Sequence, residues 1–318
     1  MSSDIPTQTA QPLQDNLYDV VIIGGSYAGL SAAMALGRAL RNVLIIDSGL
    51  PCNRNTPHSH NFLTRDGSTP AALAAVALEQ VLAYPTITLC RELGLKTEQS
   101  AEGFLTTTTS GAQYRSRKLI LATGIKDLMP EIAGLSDCWG ISVIHCPYCH
   151  GYEYHGKPTA ILANGDTAYE LGKQLSNWTK KLYLLTNGAA TLSEEQGTVF
   201  QQLGIEIIEQ PVAQLQHTDG YLQEIVFDNA SPLTVPVMYA RLPFEQHSSI
   251  AADLGCQYTQ QGHVQVDAMQ MTTVAGVYAC GDNSSGMRSV AQAVYAGTLA
   301  GAALNRELTE EAIMMMAK

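Results

Sequence analysis

The stretch "YDVVIIGGSYAGLSAAMALGRALRNVLIIDSG", residues 18–49, decides the fold. Residues 19–23 form a short apolar run rich in β-branched side chains, which is typical of a buried strand. The Ala-rich residues 30–40 predict a helix that packs closely, and residues 43–46 predict a second buried strand. The order strand, glycine-rich turn, helix and strand indicates a βαβ unit.

The turn between the first strand and the helix reads Gly-Gly-Ser-Tyr-Ala-Gly over residues 24–29. Against the pattern G-x-G-x-x-G, Gly24 and Gly29 keep the outer glycines and Ser26 replaces the middle one. Glycine permits the tight turn and the close helix packing, and the helix N-terminus offers N–H groups to a pyrophosphate. Asp47 lies 23 residues after Gly24, where an acid binds a ribose hydroxyl. The whole arrangement favours a dinucleotide site over a purely structural turn.

Two later stretches belong to the same pattern. Residues 118–127 predict a buried strand that ends in Ala-Thr-Gly. Residues 272–285 predict a strand that ends at Gly281 and Asp282, and the Ala-rich residues 290–304 predict a helix behind it. An aspartate at such a strand end can bind a polyol hydroxyl or cap a turn, and both interpretations stay open.

A weaker copy of the first unit follows in residues 158–188, again as strand, turn, helix and strand. Its turn keeps only the middle glycine, Gly165, with Ala163 and Ala168 at the outer positions. The simplest architecture is therefore α/β, with two Rossmann-like dinucleotide-binding domains, the second inserted in the first.

Composition and charge limit the kind of protein. The chain has 318 residues, 46% apolar and 15% charged, which indicates a compact globular protein. A net charge of −11 argues against nucleic acid and acidic membrane surfaces as partners. Apolar stretches end well before the roughly 20 residues of a membrane span. Residues 1–16 are polar without a signal-peptide pattern, so we expect a flexible tail and a cytoplasmic protein.

Of seven cysteines, only Cys146 and Cys149 form a C-x-x-C pair, within "IHCPYCHGYEYH" at residues 144–155. Such a pair is redox-active, catalytic or metal-binding in a reducing compartment. Zinc would need further ligands, and the spacing of five between the histidines does not place them on one helical face. We therefore expect a redox pair and no metal, and we expect the other five cysteines to be buried small hydrophobes. A helix beginning at the pair would lower a cysteine pKa.

Together, these motifs resemble the low-molecular-weight thioredoxin reductase-like branch of the FAD-dependent pyridine nucleotide-disulfide oxidoreductases, over nearly the whole chain. The resemblance implies an FAD domain in residues 17–125 and 243–318. An NAD(P)-type domain inserted at residues 126–242 would carry the C-x-x-C pair. It also implies a homodimer and a thioredoxin-like or small dithiol/disulfide substrate.

The resemblance implies roles for individual residues. Cys146 and Cys149 would be the redox pair, and His150 would carry protons where relatives commonly place Asp, since an unperturbed histidine titrates near 6.5. The implied FAD contacts are Gly24, Ser26, Tyr27, Ala28 and Gly29 at the pyrophosphate, Asp47 at the ribose, Gly281 and Asp282 at the ribitol, and His60, Asn61, Thr123, Gln292 and Ala293 as further candidates.

The insert departs from the family pattern. Members that use NADPH place an arginine pair after the second strand of this domain, to bind the 2′-phosphate. Here that strand is followed by Thr-Asn-Gly at residues 186–188, and no arginine occurs between Arg117 and Arg241. We expect poor use of NADPH. NADH, ferredoxin and a second flavin stay open as other redox partners.

The run Cys-Pro-Tyr-Cys-His-Gly-Tyr-Glu, residues 146–153, resembles the branch that contains gliotoxin-type dithiol oxidases. That likeness implies attack of a substrate thiolate on Cys146, electron transfer from Cys149 to FAD, and oxygen or another acceptor at the end. A thioredoxin or disulfide reductase running in the opposite direction is the alternative enzyme. A redox-sensing flavoprotein without turnover is the alternative that is not an enzyme.

Overall fold

The computed structural model describes residues 17–317, so the tail expected over residues 1–16 lies outside the described residues. The chain divides into two compact units. The first unit comprises residues up to 54, 71–126 and 245 onward, and the second unit comprises residues 55–70 and 127–244. The assignment of these units to FAD and to a pyridine nucleotide stays a prediction, as do the exact domain limits.

Strands and helices alternate through most of the chain. The strands are β1 Leu17–Ile23, β2 Val43–Ile46, β3 Ile87–Cys90, β4 Gly94–Ser100, β5 Gly103–Thr108, β6 Gln113–Leu121, β7 Ile125–Asp127, β8 Val143–Ile144, β9 Thr159–Leu162, β10 Leu182–Leu185, β11 Glu206–Ile208, β12 Val212–Thr218, β13 Tyr221–Phe227, β14 Leu233–Thr234, β15 Val237–Ala240, β16 Phe244–Gln246 and β17 Val277–Ala279. The helices are α1 Tyr27–Arg38, α2 Pro70–Leu82, α3 Leu135–Cys138, α4 Pro147–His150, α5 Gly165–Leu175, α6 Glu194–Leu203, α7 Ile250–Asp253 and α8 Val290–Met316.

The first unit is built on a sheet in which β3, β2, β1, β6 and β17 run parallel. The antiparallel strands β5 and β4 extend it. The residues of β2 are all buried, as expected for a parallel strand covered on both faces. Ile23, Ile46 and Leu121 lie in register, so the turns after β1, β2 and β6 meet at one edge of the sheet. Open α/β sheets bind their ligands at such an edge.

Helices α1 and α8 pack backbone to backbone in the first unit. A Cβ at Gly297 would lie 2.0 Å from the carbonyl oxygen of Ala28, and one at Gly301 would lie 2.7 Å from that of Ala32. Side chains at these glycines would force the helices apart. The small residues of α8 therefore bring its N-terminal half against the start of α1.

The second unit repeats the parallel arrangement on a smaller scale. Its main sheet has the strand order β11-β10-β9-β15-β8, and α5 connects β9 to β10. The antiparallel strands β12, β13 and β14 form a separate sheet. Strand β8 ends at Ile144, directly before the cysteine pair, and the described segment 55–70 packs within this unit.

The predicted fold class, two Rossmann-like α/β domains with one inserted, is confirmed, and several element limits differ. Strand β2 has the predicted bounds, whereas α1 begins at Tyr27 rather than at residue 30. The strand expected over residues 118–127 is divided into β6, which ends at Leu121, and β7, with Gly124 at φ of +67° between them. None of the helices within residues 17–317 is long and apolar enough to cross a membrane.

Candidate dinucleotide site and redox centre

The turn after β1 can be built only with glycine at two positions. Gly24 has φ of +105°, and a Cβ there would lie 2.2 Å from the carbonyl oxygen of Ala122. A Cβ at Gly29 would lie 1.9 Å from the carbonyl oxygen of Gly24. The outer glycines of the motif are therefore required by close approach of backbone to backbone.

The N-terminus of α1 is open toward an anion. Ser26 occupies the N-cap position, yet its side chain makes no capping hydrogen bond to the described residues, and the first turn contains no acid. Helix α1 has 12 residues, and its first N–H groups have no partner within the helix. The positive end of the helix dipole lies at the same terminus. This geometry fits a pyrophosphate.

Asp47 holds the turn in place. Its Oδ1 accepts a hydrogen bond of 2.9 Å from the backbone N–H of Gly25, and its Oδ2 accepts one of 2.8 Å from the guanidinium of Arg91. Sequence reasoning missed Arg91, which directly follows β3. Because β3 lies beside β2, a charged residue after β3 was the available signal for a partner of Asp47.

Gly281 and Asp282 lie at the same edge of the first unit. A Cβ at Gly281, where φ is +91°, would lie 3.0 Å from the Cβ of Ala28 at the start of α1. The carboxylate of Asp282 lies 3.5 Å from Nε of Arg288 and 3.9 Å from Sγ of Cys52. Neither Arg288 nor Cys52 was singled out from the sequence.

The exposure of Cys52 corrects one expectation. We expected the five cysteines outside the pair to be buried small hydrophobes, but Cys52 is exposed because it belongs to the loop that follows β2. Burial is confirmed for the other four, Cys90, Cys138, Cys256 and Cys280.

Asn283 is a fully buried polar residue that the sequence did not reveal as a candidate. Its Nδ2 donates to the carbonyl oxygen of Leu121 at 2.8 Å and to Oγ1 of Thr123 at 3.4 Å. Its Oδ1 has no hydrogen-bond partner among the described residues. The Asn283 side chain therefore connects Thr123, which follows β6, to the loop after β17.

The remaining implied FAD contacts are divided between the two units. Gln292 and Ala293 lie in the first turn of α8, where the N–H of Gln292 donates to Oγ of Ser289 at 3.1 Å. Tyr27 begins α1, and burial raises its pKa. His60 and Asn61, in contrast, belong to the second unit. The open helix terminus, the glycine contacts and the orphaned buried amide oxygen together fit a dinucleotide in the first unit.

The corresponding helix terminus in the second unit is closed. Oδ1 of Asn164 accepts hydrogen bonds from the N–H of Gly165 at 2.9 Å and from the N–H of Thr191 at 2.8 Å, and its Nδ2 donates to the carbonyl oxygen of Ala189 at 2.9 Å. Asp166 adds a carboxylate to the first turn of α5. An N-terminus capped by its own chain and carrying an acid disfavours a diphosphate.

The cysteine pair forms a disulfide with a Cα–Cα distance of 5.3 Å. Cys146 is the N-cap of α4, and Pro147 occupies the first turn as expected. Helix α4 has only 4 residues, so any dipole effect on the thiol comes from a few free N–H groups. Both cysteines are partly buried, so burial does not single out Cys146 as the exposed member of the pair.

His150, the last residue of α4, has a buried imidazole. Neither ring nitrogen makes a hydrogen bond of ordinary geometry to a described residue. Burial lowers the pKa of His150 to about 4, although the charge of Glu153 raises it, that of His60 lowers it and the backbone of Cys146 raises it. The pKa of His150 therefore lies well below the ordinary histidine value in the disulfide state, because desolvation outweighs the Glu153 carboxylate.

The other histidines of the motif have different surroundings. His145 stacks on Trp139 with ring centroids 6.2 Å apart, and His155 is exposed against Tyr152. Within residues 17–317, no group of three or more His, Cys, Asp or Glu side chains is arranged to hold a metal ion.

Three comparisons with known proteins agree with this architecture. The family model described as "Pyridine nucleotide-disulphide oxidoreductase" matches residues 18–297. Thioredoxin reductase tcpT of Claviceps purpurea is 31% identical and covers 92% of this chain and 95% of its own. Thioredoxin reductase aclD of Aspergillus oryzae is 32% identical over 89% of this chain and 94% of its own. An oxidoreductase from Agrobacterium tumefaciens has a TM-score of 0.87 with 34% identity, over 92% of this chain and 99% of its own.

The fold and the two sites define a thioredoxin reductase-like disulfide oxidoreductase, an enzyme class that depends on FAD. The chain belongs to the pyridine nucleotide-disulphide oxidoreductase family, whose model covers residues 18–297. The resemblance inferred from the sequence is thus confirmed, and so is the prediction of an enzyme. The roles of the individual site residues stay predictions.

Proposed function

We propose that this enzyme oxidises a dithiol substrate to a disulfide at Cys146 and Cys149 and passes the electrons to oxygen or another acceptor. The observation that carries the proposal is the contrast between two equivalent helix termini. The N-terminus of α1 is open to an anion, whereas that of α5 is capped by Asn164 and carries Asp166. This contrast disfavours NAD(P)H as the electron donor and favours a dithiol in that role.

The exchange at the cysteine pair balances in atoms and electrons. A substrate thiolate attacks Sγ of Cys146, a substrate–Cys146 bond forms, and Cys149 leaves as a thiolate. The second substrate thiolate then attacks the substrate sulfur, and Cys146 leaves. One disulfide forms in the substrate and one breaks in the enzyme, so two electrons and the two thiol protons pass from substrate to protein.

His150 serves this exchange as the proton acceptor. With a pKa of about 4 beside the disulfide, it is neutral at pH 7 and can accept a proton. When a thiolate appears beside it, the opposite charge favours the imidazolium. The same nitrogen can therefore hold the proton while the cysteine is a thiolate and return it afterwards.

FAD, when bound, supplies the two-electron acceptor that returns the cysteine dithiol to the disulfide. In the first unit, the N–H groups at Ser26 and beyond would hold its pyrophosphate, and Asp47 and Asp282 would hold its hydroxyl groups. The glycines at positions 24 and 29 permit the tight turn that presents these N–H groups.

Exposed aromatic side chains beside the pair favour a small apolar dithiol. Tyr148, between the two cysteines, is 63% exposed and packs edge-on against Trp178 with centroids 5.6 Å apart. Tyr152 is 77% exposed. A thioredoxin-like protein is the second candidate substrate, because relatives named thioredoxin reductase match nearly the whole chain. A homodimer and a cytoplasmic location are proposed alongside.

An anaerobic titration of the flavin-loaded protein tests direction and acceptor. We expect dithiothreitol to bleach the flavin absorbance and NADPH to leave it unchanged, with hydrogen peroxide formed when air is admitted. Rapid bleaching by NADPH would contradict the proposal and favour a reductase. A flavin count of two per chain would instead identify a second flavin as the redox partner.

A further inference from the structure

The helix that carries the cysteine pair is too short to hold itself in place. Helix α4 has only 4 residues, and isolated helices shorter than about 12 residues are marginal in water. Backbone hydrogen bonds from Cys149 to Cys146 at 3.2 Å and from Gly151 to Pro147 at 2.7 Å support it. While the disulfide is closed, the S–S bond also restrains this segment. Once the disulfide opens, packing against the rest of the unit must keep the two sulfur atoms near each other.

The indole of Trp178 packs directly against this short helix. A Cβ at Gly151 would lie 2.7 Å from Nε1 and 2.9 Å from Cδ1 of Trp178. The ring of Tyr148, between the two cysteines, meets the indole edge-on at 86°, with centroids 5.6 Å apart. The indole therefore contacts α4 both within the helix and at its end. The missing side chain at Gly151 is what permits this approach.

The backbone around Trp178 is fixed by hydrogen bonds on both sides. Its N–H donates to the carbonyl oxygen of Leu175, the last residue of α5, at 2.9 Å, and its carbonyl oxygen accepts from the N–H of Gly156 at 2.8 Å. The next residue, Thr179, is buried, and its Oγ1 donates to the carbonyl oxygen of Lys157 at 2.8 Å. Trp178 is therefore a fixed support for α4, attached to the end of α5 and to the loop before β9.

The chain has two tryptophans, and each supports one end of the segment that contains the pair. Trp139 stacks on His145, the residue before Cys146, with ring centroids 6.2 Å apart and an angle of 28° between the rings. Trp178 contacts Gly151 at the other end. The contact with Trp178 is the closer of the two, so Trp178 is the better candidate for control of the pair.

We propose that Trp178 is a positioning residue that keeps Cys146 and Cys149 close together after their disulfide has opened, and thereby sets the redox potential of the pair. In the exchange, the S–S bond of the enzyme breaks, two electrons and two protons arrive from the substrate, and the two substrate thiols form a disulfide. Trp178 acts only through α4, by limiting the conformations open to the reduced segment. The inference rests on the proposed function.

Loss of the indole should favour the reduced pair. The S–S bond restrains the segment in the oxidised state whether or not Trp178 is present. The conformational freedom gained on removing the indole therefore belongs mainly to the dithiol state. As a result, the two thiols meet less often, and the equilibrium with an external dithiol moves toward the reduced enzyme.

A redox titration of the cysteine pair in the flavin-loaded enzyme tests this role. The protein is equilibrated without oxygen in mixtures of reduced and oxidised dithiothreitol, and the pair is then alkylated and its reduced fraction measured by mass spectrometry. We expect Trp178→Ala to shift the equilibrium constant toward the dithiol by about fivefold or more, since the freedom of one residue's backbone is worth that much. Trp178→Phe keeps a flat ring against Gly151 and should restore most of the wild-type value.

Tyr169→Ala is the matched control. Tyr169 is a half-buried aromatic residue of α5 in the same unit, and its ring packs against Phe200 with centroids 5.8 Å apart. We expect this variant to lower Tm but to leave the redox equilibrium of the pair unchanged. A purely structural role of Trp178 would likewise lower Tm and leave the equilibrium unchanged. If Trp178→Ala fails to fold, Trp178→Leu, which keeps an apolar side chain without the flat ring, carries the same prediction.

Three results would overturn the role of Trp178. These are an equilibrium constant for Trp178→Ala equal to that of Tyr169→Ala, a shift toward the disulfide, or a shift that Trp178→Phe does not reduce. A wild-type pair that stays oxidised in every dithiothreitol mixture would instead overturn the proposed function itself. The two failures are therefore distinguishable in one set of measurements.

Discussion

The backbone N–H of Gly25 donates a hydrogen bond of 2.9 Å to Oδ1 of Asp47. This bond ties the turn after β1 to the end of β2, and a Cβ at Gly25 would lie 2.7 Å from the Asp47 side chain. The acid expected to bind a ribose therefore also fixes the shape of the turn that would bind the pyrophosphate.

We expect Asp47→Ala to lower the flavin content of the purified protein markedly. The variant leaves the N–H of Gly25 and the guanidinium of Arg91 without their acceptor, at a cost of about 1–3 kcal/mol. Asp47→Asn keeps an acceptor for Gly25 and should lose less flavin. The ratio of flavin to protein absorbance measures both, with Asp228→Ala, an exposed aspartate of the second unit, as control. Full flavin content in Asp47→Ala would refute the proposed role of Asp47 in FAD binding.

Two glycine variants should have opposite effects on stability. Gly297→Ala places a Cβ 2.0 Å from the carbonyl oxygen of Ala28, so α8 must move away from α1, at a cost of about 1–3 kcal/mol or more. Gly197→Ala, on helix α6, meets nothing within 4 Å and should stabilise by about 0.5–1 kcal/mol. Thermal unfolding of the two variants checks this pair. Equal Tm values would contradict the close packing of α1 and α8.

Patterns that are local in sequence predicted most of the first unit. The bounds of β2, the outer glycines of the turn and the position of Asp47 follow from residue periodicity and glycine spacing alone. Arg91 and Asn283 could not be found in this way. Their roles depend on which strands are neighbours in the sheet, and β6 and β17 are distant in sequence but adjacent in space.

The surroundings of His150 illustrate the same limit. Its place after the second cysteine was visible in the sequence, and that place predicted a proton carrier. Burial and the charge of His60, a residue 90 positions earlier, could not be read from the chain, and they decide the pKa. The capped N-terminus of α5 was partly predictable from the sequence, because the turn before this helix keeps only one glycine of the dinucleotide-binding motif.

The lowered pKa of His150 predicts a loss of stability in mild acid. The unfolded chain binds a proton on this histidine near pH 6.5, while the folded chain resists it down to about 4. Stability should therefore fall as pH drops from about 6.5 toward 4, by up to about 3 kcal/mol from this group. His150→Gln should show a smaller fall in Tm between pH 7 and pH 4.5. An identical fall in both proteins would contradict the burial of the imidazole.

Tyr148 should contribute to substrate binding without affecting the flavin. We expect Tyr148→Ala to raise KM for an apolar dithiol by about fivefold or more, since an exposed aromatic contact is worth about 1 kcal/mol. Tyr221→Ala, an exposed tyrosine 52% accessible on β13, is the control. Steady-state kinetics with an apolar and a polar dithiol would measure the effect. An unchanged KM for both would place the substrate elsewhere.

The central claim is that Cys146 and Cys149 pass electrons from a dithiol into the enzyme. Anaerobic stopped-flow reduction of the flavin-loaded Cys146→Ser and Cys149→Ser variants by dithiothreitol tests it most directly. Cys256→Ser is the control, because a hydroxyl can keep the contact of that buried thiol with Thr272. We predict that both pair variants retain flavin but are not reduced, while the control is reduced like wild type. Full reduction of either pair variant at the wild-type rate would contradict the claim.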